Sequence, residues 1–287
     1  MRTISLLGAP SNLGLKPYDD SGRARGVVDA PRVFRELGLA QRLGARDCGD
    51  VAAPAYDYAH RRNSIRNEAS IARYSRALGD AVKRIRDDDH FALILGGDCS
   101  ILLGTLLGCG EEVGLAFLDG HCDFATPEIS HTGGAAGMDL ALAVGRGGSP
   151  LSRLRNGRPL IDESRVVALC RKDLADEPYY GDDSIRNSRV LDLPWESAGA
   201  AEIALARLGD SPFVIHVDAD VLDPEEMPAV DSPEPGGIQA DELTRMLRTL
   251  ARQPNAIALE LTVYDPWLDE DRRCARLLAD LLTSALT

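Results

Sequence analysis

Residues Val113 to Asp123 read Val-Gly-Leu-Ala-Phe-Leu-Asp-Gly-His-Cys-Asp. The apolar half is too short for a helix and does not alternate with polar residues. A run of this kind marks a strand covered on both faces, the sort from which parallel sheets are built. Ile4–Leu7, Phe91–Leu95, Val166–Leu169, Phe213–Val217 and Ala256–Leu261 show the same pattern. Between them lie amphipathic stretches of helical length. Ser64 to Arg86 carries Ile71, Leu78, Val82 and Ile85 on one stripe, and Glu242–Arg252 and Asp271–Leu282 read as further helices. Strands alternating with helices imply an α/β fold with a doubly wound, mostly parallel sheet. No repeat or linker interrupts it, so one domain is expected over residues 1–287.

The bulk numbers narrow the function. Of 287 residues, 44% are hydrophobic, enough for a substantial core. A net charge of −13 repels phosphate backbones, so no nucleic-acid partner is expected. No apolar run approaches the roughly 20 residues of a spanning helix, so no membrane partner is expected either. The N-terminal MRTISLLGAPSNLG lacks the features of a secretory signal. The six cysteines form no C-x-x-C pair, which fits a reducing, cytoplasmic location.

The polar half of the opening stretch carries the chemistry. In open α/β sheets ligands gather at the carboxyl ends of strands, and Asp119, His121 and Asp123 follow one such end. Extended chain has a side-chain period of two, which would face all three the same way. Asp218 and Asp220 follow Phe213–Val217 with the same spacing. Four carboxylates brought together repel one another unless cations sit among them. Two divalent ions would balance them, and oxygen ligands with an imidazole suit Mn²⁺. The alternative is a set of solvated acids or helix caps at strand ends.

Longer motifs carry a family resemblance. Asp119-Gly-His-Cys-Asp123 resembles the D-A-H-x-D motif of the ureohydrolases, the arginase and agmatinase family. HVDADVLDP (His216 to Pro224), with PEPGGI (Pro233 to Ile238), resembles their D-x-D-x-x-D-P and downstream G-G segment. GGDCS (Gly96 to Ser100) resembles G-G-D-H-S, and GVVDAPRVFRELGL (Gly26 to Leu39) resembles an early loop and helix. ALELTVYDP (Ala258 to Pro266) matches the family's last strand less closely. The motifs span nearly the whole chain in the family's order.

The resemblance implies a three-layer αβα, arginase-like fold and hydrolysis of a C–N bond in a linear amidine. It implies two divalent metal ions, manganese in the family, a small guanidino substrate and possible homo-oligomers. Carried over position by position, Asp119 and Asp218 would bridge the ions. His121 and Asp220 would complete one site; Asp123 and Cys99 would complete the other. Asp220 would also orient the attacking water. His216 would support the ligands from behind or be a buried strand histidine with a backbone partner.

Three departures stand out. Where the family has a histidine ligand, this chain has Cys99. A thiolate is softer and favours zinc, iron, cobalt or nickel over manganese; the alternative is a buried thiol that ligates nothing. The family's proton-moving loop histidine falls at Ala136, and His131, in the same loop, is the candidate replacement. The guanidinium-holding acid falls at Val263, and two substrate-holding asparagines fall at Ala125 and Gly134. Thr132 keeps a hydroxyl, and Asp173 keeps a carboxylate for an α-amino group. Such losses alter specificity outright. A modified arginine such as N-hydroxy-arginine is therefore expected, its less basic leaving group lessening the need for a proton donor. A non-catalytic, metal-binding relative is the alternative. The deacetylase branch of the fold needs paired histidines, and none of His60, His90, His121, His131 and His216 is adjacent to another.

Overall fold

A computed structural model describes residues 2–18, 22–172 and 181–287 of the chain. Its frame is a sheet of eight strands among the described residues: β1 Ile4–Ala9, β2 Arg46–Asp50, β3 Phe91–Gly96, β4 Gly114–Leu118, β5 Val166–Arg171, β6 Leu191–Pro194, β7 Phe213–Asp218 and β8 Ala256–Thr262. They lie in the order β2-β1-β3-β8-β7-β4-β5-β6, and every pairing is parallel. The six apolar runs form the six inner strands, all buried along their length.

The two outer strands have no such run. Arg-Asp-Cys-Gly-Asp in β2 is exposed throughout, and Leu-Asp-Leu-Pro in β6 is half-buried. An edge strand pairs through its backbone on one side, so its side chains need not be apolar.

Helices cover both faces. Glu68–Asp87 and Leu102–Cys109 pack Ile71, Leu78, Leu102 and Leu106 with Ile94, Leu115 and Phe117 of the sheet. On the other face, Ala240–Ala251 and Arg273–Leu286 pack Leu243, Leu247, Leu250, Leu278 and Leu282 with Leu93, Leu118 and Val217. Alternate residues of each strand thus feed opposite cores. Full burial of each such side chain stabilises the fold by roughly 1.5–3 kcal/mol. No helix among the described residues is long and apolar enough to cross a membrane.

The strand order fixes where a ligand can go. The strands up to β3 and those from β4 to β6 are laid down on opposite sides of the sheet's middle, with β8 and β7 set between β3 and β4. Their carboxyl ends border the crevice that forms where a parallel sheet changes direction. Cys99 follows β3, Val263 follows β8, Asp218 ends β7 and Asp119 follows β4.

Candidate metal centre

The chain leaves β3 through a turn that only glycine permits. A Cβ on Gly97 would lie 1.8 Å from the Ser11 carbonyl oxygen. The close approach allows the Asp98 N–H to reach Ser11 O at 2.9 Å. Asp98 then accepts from the Ser100 N–H and the Ser11 hydroxyl, both at 2.9 Å. The turn aims the Cys99 thiol at β7, where it donates to Asp218 Oδ2 at 2.8 Å and lies 3.2 Å from the Thr262 hydroxyl.

Turns also gather the carboxylates. β4 ends at Leu118, before Asp119, and a short 3-10 turn, Ala219–Val221, follows Asp218. The period-two argument therefore does not explain why these side chains converge. Asp119 Oδ1 accepts the His121 N–H at 2.7 Å, and Asp218 Oδ1 accepts the Asp220 N–H at 2.8 Å. Asp220 ties the two loops together, accepting from the Gly120 N–H at 3.1 Å and meeting His121 Nδ1 at 2.9 Å. Asp123 sits in the left-handed region at φ +43°, an uncommon conformation for a residue other than glycine.

Three overlapping groups have ligand atoms within 4.8 Å of one another: Asp119, His121 and Asp220; Cys99, Asp119 and Asp123; and Cys99, Asp139 and His216. All of these residues are buried. Burial and neighbouring acids push the Asp119, Asp139 and Asp218 carboxyls above the usual range. Burial and Asp218 likewise push the Cys99 thiol up. Asp220 goes the other way: burial opposes its charge, but His121 and the buried Lys172 outweigh that. Lys172 is held by the Leu222 and Glu234 carbonyls at 3.1 Å each.

Asp119 Oδ2, Asp139 Oδ2 and His216 Nε2 are buried without a hydrogen-bond partner. Each such atom costs about 1–3 kcal/mol. Bare, buried electron-pair donors among crowded carboxyls form a donor set that fits divalent metal.

Above these groups opens a cavity of about 170 Å³ lined by Cys99, His121, Asp123, Asp218 and Asp220. Thr132, Gly134, Ala136 and Val263 share its wall, so these departures from the motif pattern, unlike Ala125, face one space with Cys99. His131 is exposed and is not among the lining residues. Asp173 lies outside the described residues.

Several cavity and core residues had no role in the sequence reading. Lys16 and Arg25 bring positive charge to the mouth, Arg25 paired with Asp231 beside it. Asp139 and Glu260 are wholly buried acids within apolar stretches, and that mismatch was their only sequence signal.

The arginase family model matches residues 2–287. The chain belongs to the arginase family. It is 28% identical to arginase of Bacillus caldovelox over 99% of this chain and 98% of that one. A crystal structure of B. caldovelox arginase superposes with a TM-score of 0.89 at 29% identity, covering 100% of this chain and 98% of that one. Arginase from Bacillus cereus gives 0.87 at 28% identity, covering 99% and 98%. Proclavaminate amidino hydrolase of Streptomyces clavuligerus shares the fold, with a TM-score of 0.73 at 18% identity, covering 100% and 90%. Family membership makes the chain a hydrolase of C–N bonds in guanidino-type compounds.

Proposed function

We propose that this arginase-family chain hydrolyses the amidino C–N bond of a modified arginine, such as an N-hydroxylated one, with two divalent cations bound. The observation that carries the reading is the cavity wall. Ala136 and Val263 line the same space as the clustered ligands and offer neither a proton nor a negative charge. A plain guanidinium holds its charge and needs an acidic partner once it is desolvated. An N-hydroxyguanidine is far less basic and gives up its proton more readily on desolvation, so an apolar wall suits it better. The named arginases among the relatives point to arginine itself, and the two substrates are separable by assay.

Asp119, Asp218, His121 and Asp220 hold one cation in this reading, and Cys99 extends the set toward a second. Bound divalent cations supply charge neutralisation and an activated water at neutral pH. Asp220, fixed between the Gly120 N–H and His121, orients that water. Lys16 and Arg25 attract the substrate carboxylate at the mouth. The Thr132 hydroxyl faces the bound substrate, and Asp173 takes its α-amino group. His131 is the remaining candidate for proton movement, through the loop that carries Thr132.

The test is a panel of arginine, N-hydroxy-arginine, agmatine and other guanidino acids, assayed for urea or hydroxyurea with metal content measured alongside. Turnover of N-hydroxy-arginine at a kcat/KM at least tenfold above that of arginine is expected. A preference for plain arginine overturns the substrate assignment. Inactivity on every compound with two cations bound leaves a metal-binding protein without catalysis.

A further inference from the structure

One of the three ligand groups contains two residues outside the cavity wall. Asp139 opens the helix Asp139–Ala143 and is wholly buried. One of its oxygens accepts the Leu140 N–H at 2.6 Å, and the other accepts nothing. His216 lies within β7, also wholly buried, its ring stacked on Phe117 with centroids 4.5 Å apart. Its Nδ1 meets Glu260 Oε1 at 2.7 Å, and the other Glu260 oxygen accepts the Thr105 hydroxyl. Its Nε2 has no hydrogen-bond partner. The Cys99 sulfur, an Asp139 oxygen and a His216 ring nitrogen lie within 4.8 Å of one another.

Two bare buried donors beside one thiol are hard to account for by packing. A water could satisfy an oxygen and a nitrogen, but it would not account for a thiol gathered with them within 4.8 Å. Glu260 also does to His216 what carboxylates do behind metal-binding histidines. With the proton on Nδ1, the ring donates to Glu260, which fixes its orientation and leaves the Nε2 lone pair facing away from that carboxylate. A thiolate, a carboxylate and a neutral imidazole together neutralise one divalent ion. Sulfur, nitrogen and oxygen in one small set suit tetrahedral zinc or cobalt rather than manganese. A fourth donor is at hand, since Asp119 Oδ2 is itself bare and lies 4.0 Å from His216 Nε2.

We propose that Cys99, Asp139 and His216, completed by Asp119, form a buried site for a zinc-class cation behind the cavity wall. The proposal rests on the reading of Cys99 as a ligand. It relocates the Cys99 ion inward, away from Asp123, and leaves the His121–Asp220 group as the cavity's own site. Cys99 is the one member of the three that reaches the cavity, so it is also the way in.

Cobalt titration of the metal-stripped full chain tests it. Wild type is expected to show thiolate-to-cobalt charge transfer in the near ultraviolet together with tetrahedral d–d bands. Asp139→Asn, His216→Asn and Cys99→Ser are each expected to weaken those bands' cobalt affinity at least tenfold. His121→Asn is expected to keep them. Circular dichroism identifies any variant that fails to fold. X-ray absorption on zinc-loaded His121→Asn protein is the second arm. It should show a sulfur at about 2.3 Å and an imidazole on the same ion. Bands unchanged in Asp139→Asn and His216→Asn overturn this site and leave the hydrolase reading intact. Absence of the charge-transfer band from wild type, with His121-dependent metal binding retained, also overturns this site alone. No metal binding by wild type overturns both.

Discussion

Replacing an imidazole with a thiol at position 99 changes charge, reach and softness together. Burial and the neighbouring acids push the thiol up, and a cation beside it would oppose that shift. Cys99→His should therefore exchange metal preference rather than abolish binding. Competition dialysis should show manganese gaining at least tenfold on zinc and cobalt; an unchanged preference sinks the idea that Cys99 sets it. Thr105 supports the same region from outside, donating to Glu260. Thr105→Val leaves that buried oxygen unpaired and should cost about 1–3 kcal/mol in urea unfolding. Motif residues such as Asp119, His121 and Asp218 were legible because their spacing follows apolar runs. Asp139 was not, because an acid after Met138 reads equally as a helix start. Val263 hid its conformation too: a buried valine at φ +65° is an outlier for a β-branched residue. Its N–H is held by Gly97 O at 2.7 Å, and no sequence pattern records such a tether.

Elements whose side chains must be buried announce themselves, and elements held by backbone alone do not. The inner strands came out of the apolar runs to within a residue or two. β2 and β6 were invisible, because parallel pairing to β1 and β5 is their main tie to the sheet. Turns between elements lie between these extremes. The Gly96-Gly-Asp-Cys-Ser100 motif was legible, but the reason for its second glycine is the Ser11 carbonyl, a contact between the turns that follow the adjacent strands β1 and β3. Gly97→Ala forces that backbone apart. A cost of roughly 1–3 kcal/mol is expected, typical of overpacking a tight site. The same displacement moves Cys99, so metal affinity should fall in parallel with the urea midpoint. A Gly97→Ala protein with lowered stability but unchanged cobalt binding would show that the turn does not position the thiol.

At the scale of the whole molecule, fold class was legible and strand order was not. Alternating strands and helices require a parallel sheet, whereas placing β8 and β7 between β3 and β4 depends on contacts far apart in sequence. That order concentrates acids in one crevice of a chain already carrying a net charge of −13. Asp119, Asp139 and Asp218 hold their protons more tightly in the fold than in the unfolded chain, chiefly through burial. Without metal, their contribution to stability is complete below their unfolded values, near pH 4, and is lost as pH rises through the raised folded values. Asp220 contributes in the opposite sense, its stabilisation lost as pH falls, but it stands against three. The metal-stripped protein should therefore lose melting temperature as pH is raised above the ordinary carboxylate value of about 4. Saturating cation should reverse the trend, because it binds the ionised ligands and adds about 4 kcal/mol at a thousandfold excess over Kd. Melting curves across that range, with and without zinc, decide the matter. A stripped protein that loses stability steadily on acidification would mean that the buried acids are already paired without metal.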